Sequence, residues 1–385
     1  MKNECDILVI GAGFAGLSAA ISASRAGAKT LIVAPSLAKT IPGGEVGLDL
    51  LGIGPKTAAA FKEVTGSFPP YYIETYGFKY ISPEGKTFTD RSEEVRGWTL
   101  MTTEATEILF KKAIVEGSDY INASVIDFII NSGSVDGVIL DDGRSIQSKV
   151  VICACGYNPQ LIQKLGVAPP KDSLFALQTL LDMKKEGDEH LLFTFFCGKR
   201  WSNSLGGFLM PVSKKRAVLA IGVKSRGDAH SYLLRVIREH PVISRQVEWN
   251  PGRMHGGVIS LGLAERSYGN GFLLAGDAAG HFRPIGGVGS GNALLFGRMA
   301  GTIAAEAVHE DDVSSNRLKA FEEAWMATPE GQTLIQMFPY SEIMRNADDR
   351  VLEDAFSGFE GRKISKTFYL ELIAAISGES KIKEG

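Results

Sequence analysis

Six residues near the start of the chain, Gly11-Ala12-Gly13-Phe14-Ala15-Gly16, have the types and spacing of a phosphate-binding turn. Gly11 permits a tight turn, Gly13 lets backbone N–H groups approach a pyrophosphate, and Gly16 allows close helix–strand packing. An anion held there sits at a helix N-terminus, where unpaired N–H groups and the helix dipole favour negative charge. The motif is weak alone and gains force from its flanks. The apolar run Asp6 to Ile10 predicts a buried parallel strand, Leu17 to Ala26 an alanine-rich helix, and Thr30 to Ala34 a second strand. One part of the fingerprint is missing. The acidic residue that ordinarily ends the second strand and accepts the ribose hydroxyls is Ala34 here, followed by Pro35 and Ser36. Ser36 or a backbone carbonyl replaces one such hydrogen bond, not a bidentate carboxylate.

A second constellation lies far along the chain. Gly276-Asp277-Ala278-Ala279 follows the strand-like Phe272 to Ala275, at the strand end where open α/β sheets place their ligands. Pro284 to Gly291 (PIGGVGSG) then opens a small-residue helix, Ser290 to Val308. Asp277 is placed to accept hydrogen bonds from hydroxyl groups; alone it also reads as a helix N-cap. So many glycines in and before a helix are costly without a ligand. Two anion-receptive sites from opposite ends of one chain predict a long ligand, a dinucleotide carrying a sugar alcohol and a reactive ring. The glycine-rich stretch Ile41 to Gly47 reads as a loop that wraps this ligand, or as a surface loop.

Other polar candidates are weaker. His281 reads as a proton donor beside the site or, as the favoured expectation, an exposed loop histidine. Arg283 reads as a ligand contact or a surface cap, and Glu45 as a support for the wrapping loop. Cys155 follows a predicted core strand, and its reactivity turns on its exposure. Cys5, Cys153, Cys155 and Cys197 have neither C-x-x-C spacing nor histidines at zinc distances, so no metal site is expected. Cys5 and Cys153 read as small core hydrophobes.

The elements that must position these residues belong to an ordinary globular chain of 385 residues, 44% hydrophobic and 22% charged, long enough for several intertwined subdomains. A net charge of −3 supplies no field for nucleic acid, and the absence of an 18-residue apolar run excludes a predicted spanning helix. With a core strand where a signal peptide would be, the expected location is the cytoplasm. Helices are expected at Lys56–Val64, Thr102–Glu116, Ala229–Glu239, Leu318–Met326, Gly331–Met344 and Lys366–Ile376. Tyr72 to Phe78 with the turn Ser82 to Lys86 predicts a β-hairpin excursion, and Val125–Asn131 with Val135–Leu140 predicts another hairpin. Between Leu174 and Leu261, strand-like runs surround one helix, the texture of an inserted β-rich domain.

The motifs GAGFAG at 11–16, Gly276 to Ala279 and PIGGVGSGNA at 284–293 resemble the FAD-dependent geranylgeranyl reductase family, within the p-hydroxybenzoate-hydroxylase-type flavoproteins. The resemblance covers most of residues 1–310. It implies an α/β fold: a Rossmann-like FAD-binding domain, an inserted β-rich substrate domain and a helical C-terminal part. The layout expected on this basis is FAD-binding segments at 1–71, 101–170 and 265–310, a β excursion at 72–100, a substrate domain at 171–264 and a helical region at 311–385. By the same resemblance FAD is the cofactor. Gly11, Gly13, Ala15 and Gly16 face the pyrophosphate, Asp277 the ribityl chain, Gly289 and Ser290 the ring end, and Val125 the adenine. Gly43, Gly44 and Val46 fall on the loop that wraps the flavin, and Thr102 stands where the family carries an arginine. Gly43 replaces the family's cysteine, Cys155-Gly156 its Asp-Gly, and the substrate signature ending in Phe-Pro survives as Gly207-Phe208-Leu209-Met210-Pro211.

The activity implied is reduction of C=C bonds in an isoprenoid or other hydrophobic substrate, with hydride from reduced FAD. The apolar residues Leu191, Phe193, Phe195, Phe208, Leu209 and Met210 line the substrate tunnel or, singly, form the insert's own core. Other readings are a flavin monooxygenase or halogenase, although the halogenase motif WxWxIP is absent, an electron-transfer flavoprotein with a protein partner, and a degraded, non-enzymatic site. The partners expected are a lipid or hydrophobic small molecule and an electron-donor protein or NAD(P)H, with peripheral membrane contact compatible with such a substrate. No second glycine motif follows a strand to form a separate nicotinamide domain.

Overall fold

A computed structural model describes residues 4–35, 51–187, 191–285, 287, 289–362 and 368–378. Glu4–Ile10 lies at the centre of the first sheet, parallel to Ser145–Cys153 on one side and Thr30–Ala34 on the other. Asp119–Asn122 extends it beyond Thr30–Ala34, and Phe272–Leu274 beyond Ser145–Cys153. A parallel sheet must be covered on both faces, which is why its strands are apolar throughout. Ile7 and Val9 enter one core with Leu17, Ile152 and Phe296, while Leu8 and Ile10 enter the other with Val33, Phe128 and Val151. The Val125–Asn131/Ser134–Leu140 hairpin forms as expected and joins this sheet through Ser145–Cys153.

The first core lies beneath three helices, Phe14–Arg25, Thr102–Val115 and Ser290–His309. Helix Phe14–Arg25 begins nearer the glycine motif than the expected Leu17, with Gly13 as its N-cap. It meets Ser290–His309 almost backbone to backbone. A β-carbon on Gly297 would lie 2.3 Å from the Ala15 carbonyl oxygen, and one on Gly301 2.1 Å from that of Ala19. The Ser18 hydroxyl donates to the Leu294 carbonyl across the same contact (2.7 Å).

The second sheet has seven strands, in the order Met254–Leu261, Asp172–Asp182, Arg216–Val223, Gly206–Pro211, Phe193–Phe196, Gly77–Ile81 and Thr87–Arg91. It confirms the β-rich texture. Its longest strand, Asp172–Asp182, lies outside the runs read as strands, because Leu174, Phe175, Leu177, Leu180 and Leu181 do not alternate. The run expected from Tyr72 to Phe78 divides. Tyr71–Thr75 pairs with Gly97–Leu100 in a small sheet with Leu51–Ile53, whereas Gly77–Ile81 pairs with Thr87–Arg91 and, in parallel, with Phe193–Phe196. The switch falls at Tyr76, whose backbone bonds to Leu191 and Ser92.

Helix Arg226–Glu239 covers one face of the second sheet with Leu233, Val236 and Ile237. After Ser290–His309, Ser315–Ala327 packs Leu318, Phe321 and Trp325 on the first core. Pro329–Asn346 leads on to Asp349–Ser357, a helix the sequence reading lacks, capped by the Asp348 side chain. Phe356, Phe359, Phe368 and Leu372 then gather on Phe88 of the second sheet.

Candidate functional site

A cavity of about 690 Å³ has walls from both sheets. One end is glycine-rich backbone, Gly11 to Ala15 and Ala154 to Gly156; the wall continues past Thr102, Asp277, Gly289 and Ser290 to Tyr80, Phe195, Phe208 and Leu372. Three helices begin on it, at Gly13, Met101 and Gly289, and none has a side-chain cap. Several helices elsewhere are capped, by Ser225, Ser314 and Asp348, although Pro55–Thr65, like the three on the cavity, is not. Helix N-terminal N–H groups need acceptors, and here the acceptors are left to come from the cavity. The first turns of Phe14–Arg25 and Ser290–His309 carry no acidic residue to compete with an anion.

The glycine turn has the geometry its chemistry needs. Gly11 adopts a φ of +102°, open to glycine and strained for other residues. Around Gly13 there is open space: nothing lies within 4 Å of where a β-carbon would be. Asp277 sits in the short turn Gly276–Ala278, half-buried on the cavity wall. Its carboxylate has no hydrogen-bond partner among the described residues, and burial pushes its pKa from 3.8 up to about 6. The buried Thr102 hydroxyl, at the start of its helix, also lacks a partner. Three uncapped helix starts, an unpartnered carboxylate and an orphan hydroxyl fit a dinucleotide with a polyhydroxyl chain. FAD is such a group.

The expected site residues Gly11, Gly13, Ala15, Thr102, Asp277, Gly289 and Ser290 all line this cavity. Gly16 lies behind it, against Gly11. Val125 opens its strand and packs with Ile121 against the second core, away from the wall. Gly43, Gly44, Glu45, Val46 and Ser36 lie outside the described residues. The backbone carbonyl of Ala34, at the end of the second strand, takes a hydrogen bond from the Tyr120 hydroxyl (3.1 Å).

His281 corrects its expectation. It is 1% exposed and packs on Phe296 and Trp325, each with ring centroids 4.8 Å away. Its backbone N–H donates to the Gly276 carbonyl (3.0 Å), closing a turn that folds the side chain behind the wall. Burial lowers its pKa to about 3, so the imidazole is neutral. Arg283 is half-buried, with its charge acting on the Tyr80 phenol. Cys5 and Cys153 are core residues as expected, while Cys155 is half-buried on the cavity wall.

Phe195 and Phe208, cross-strand partners, line the cavity. Phe193 and Met210, two positions along on the same face, are more deeply buried in one cluster with them, while Leu209 points to the opposite face and the core under helix Arg226–Glu239. Sequence reasoning missed Tyr80, Gln178, His255 and Leu372, which reach the wall from four separate elements. Tyr80 stacks on Phe195 (5.7 Å) and meets Phe368 at 4.6 Å. Their residue types carry no local signal; only the strand pairing brings them together.

Residues 6–157 match the FAD dependent oxidoreductase family. A digeranylgeranylglycerophospholipid reductase of Methanopyrus kandleri is 29% identical over 345 residues, covering 84% of this chain and 82% of the relative. A digeranylgeranylglycerophospholipid reductase of Methanothermobacter thermautotrophicus is 27% identical, covering 96% of this chain and 95% of its own. Among solved structures, a geranylgeranyl bacteriochlorophyll reductase-like protein of Thermoplasma acidophilum shares the fold with a TM-score of 0.81, at 22% identity and 96% coverage of both chains. The flavin-dependent brominase Bmp2 shares it more loosely, at 0.66 and 16% identity, covering 97% of this chain and 98% of the brominase.

Proposed function

We propose that this chain is an FAD-dependent oxidoreductase of geranylgeranyl-reductase type and that it reduces C=C bonds in the isoprenoid chains of a lipid. The observation that carries the reading is the continuity of one cavity, from uncapped helix starts at one end to Phe195, Phe208 and Leu372 at the other. Gly11, Gly13, Thr102, Asp277, Gly289 and Ser290 would hold FAD, which when bound supplies hydride. The apolar end excludes water and orients the chain by its aromatic walls. Tyr80, on the wall between Phe195 and Phe368, presents the phenol that would serve as proton source for the second carbon of the double bond.

Among the described residues no helix is long and apolar enough to cross a membrane. A lipid substrate would therefore be met at the membrane surface. The patch suited to it is Phe68, Tyr71 and Trp98, with Phe68 45% and Tyr71 39% exposed and Phe68 5.1 Å from Trp98. The electron donor is a partner protein or a transiently docked NAD(P)H.

The test is anaerobic. FAD-loaded protein is reduced with dithionite, mixed with a lipid bearing geranylgeranyl chains, and the lipid is weighed by mass spectrometry. A gain of two hydrogens per double bond, with flavin reoxidation, is the expected result. Unchanged lipid beside flavin that stays reduced would overturn the proposal.

A further inference from the structure

Cys153 and Cys155 lie with their sulfurs 3.4 Å apart. Cys153 ends its strand in wholly buried surroundings, paired with Ile10 on one side and Leu274 on the other. Cys155, two residues on, is half-buried in the cavity wall, at the edge of the second core. The backbone joining them is packed on the phosphate-binding turn: a β-carbon on Gly11 would lie 2.3 Å from the Ala154 carbonyl oxygen and 3.4 Å from the Cys155 Cα. The Cys153 thiol supports negative charge on the Cys155 sulfur and lowers its pKa, while the same partnership and burial raise that of Cys153. One thiol thus sits half-buried at the cavity wall with its ionisation eased, and the other is held beside it.

We propose that Cys153 and Cys155 are a redox modification site, closed to a disulfide by hydrogen peroxide, whose closure weakens the grip on FAD. The Cys155 thiolate attacks one peroxide oxygen, breaking the O–O bond; the other oxygen leaves as hydroxide and Cys155 becomes a sulfenic acid. The Cys153 sulfur then attacks the Cys155 sulfur, and its proton leaves with the displaced oxygen as water. Two thiols lose two electrons, and one peroxide becomes two waters. The sulfurs must close to about 2.05 Å. Cys153 is fixed between two strands, so Cys155 moves and draws the Ala154–Gly156 wall with it, against Gly11. Linkage makes the effect reciprocal: bound FAD, covering Cys155, slows the oxidation. The effect on FAD rests on the cofactor reading above; the disulfide does not.

The experiment treats the purified full chain, FAD-loaded and FAD-free, with hydrogen peroxide. Remaining thiols are alkylated, the peptide spanning both cysteines is mapped by mass, and FAD affinity is titrated by flavin fluorescence. The expected result is a Cys153–Cys155 disulfide, formed faster without FAD, with affinity down about tenfold and restored by dithiothreitol. Cys153→Ala, which leaves Cys155 on the wall, should keep its FAD affinity through the same treatment. If that variant does not fold, the peroxide and dithiothreitol arms of the wild type carry the comparison. Thiols left intact, Cys155 driven only to sulfinic acid, or a disulfide with unchanged FAD affinity would each overturn the proposal. A reduced chain that takes up no FAD refutes the cofactor reading instead, and is told apart because the peptide map needs no FAD.

Discussion

Gly16 touches Gly11 backbone to backbone, so that a β-carbon on Gly16 would lie 2.1 Å from the Gly11 carbonyl oxygen. Gly13, between them in sequence, faces open space. The glycines therefore do separable work, and their variants should fail differently. Gly16→Ala should destabilise the FAD-free protein by about 1–3 kcal/mol, the usual cost of overpacking. Gly13→Ala should leave FAD-free stability unchanged and lower FAD affinity on the order of tenfold, about 1.4 kcal/mol. Thermal melts of the FAD-free protein and flavin titrations check both. Equal melts for the two variants would contradict the division.

Asp277 predicts a pH-dependent difference. Its folded-state pKa of about 6 is above the ordinary 3.8, so between those values the folded chain binds more protons than the unfolded one. Stability from this group falls as pH rises through the window. Asp277→Asn removes the effect. In FAD-free protein the variant's advantage should be about 0.5 kcal/mol at pH 4 and grow to about 3 kcal/mol by pH 7. The same variant should bind FAD less tightly, having lost an acceptor. Denaturant titrations across pH decide it, and a pH-independent difference would count against a buried carboxyl.

His281 predicts the opposite slope. Its imidazole titrates near 3 when folded, below the ordinary 6.5, so acid favours the unfolded chain. The stability it permits is full above 6.5 and is lost as pH falls toward 3. His281→Phe, packed on Phe296 and Trp325, should flatten the acid limb of the melting curve while leaving FAD affinity in place. His240, lowered to about 4 by burial, acts in the same direction and is common to both proteins. An unchanged acid limb would show that His281 keeps its proton inside the fold.

Tyr80→Phe should preserve the stack on Phe195 and remove only the proton. Turnover on an isoprenoid lipid should fall on the order of 100-fold, with KM and FAD content little changed. A rise in KM with unchanged kcat would make Tyr80 a binding residue.

The cofactor half of the site was legible because its chemistry is written in backbone. A glycine motif between strand and helix is local, and both Gly11–Gly16 and Gly276–Ala279 lie at the strand ends where they were expected. The substrate half was not. Tyr80, Gln178, His255 and Leu372 meet through pairings between strands and packing of a late helix, which no short window of sequence records. Asp172–Asp182 escaped because both its faces meet apolar groups, Leu177 and Leu181 in one cluster and Leu180 against another, so its sequence does not alternate. His281 misled because polarity suggests a surface, whereas the Gly276 carbonyl bonds its backbone and turns its ring inward.

The close seam between helices Phe14–Arg25 and Ser290–His309 also sets an order of events during synthesis. Its glycines bring Gly297 against Ala15 and Gly301 against Ala19, contacts separated by about three quarters of the chain. A nascent chain on the ribosome can make its first βαβ unit early but has no second helix start to place beside it. The flavin site is thus completed only once residue 309 has emerged, and a ribosome stalled before that point should carry a chain that captures no flavin.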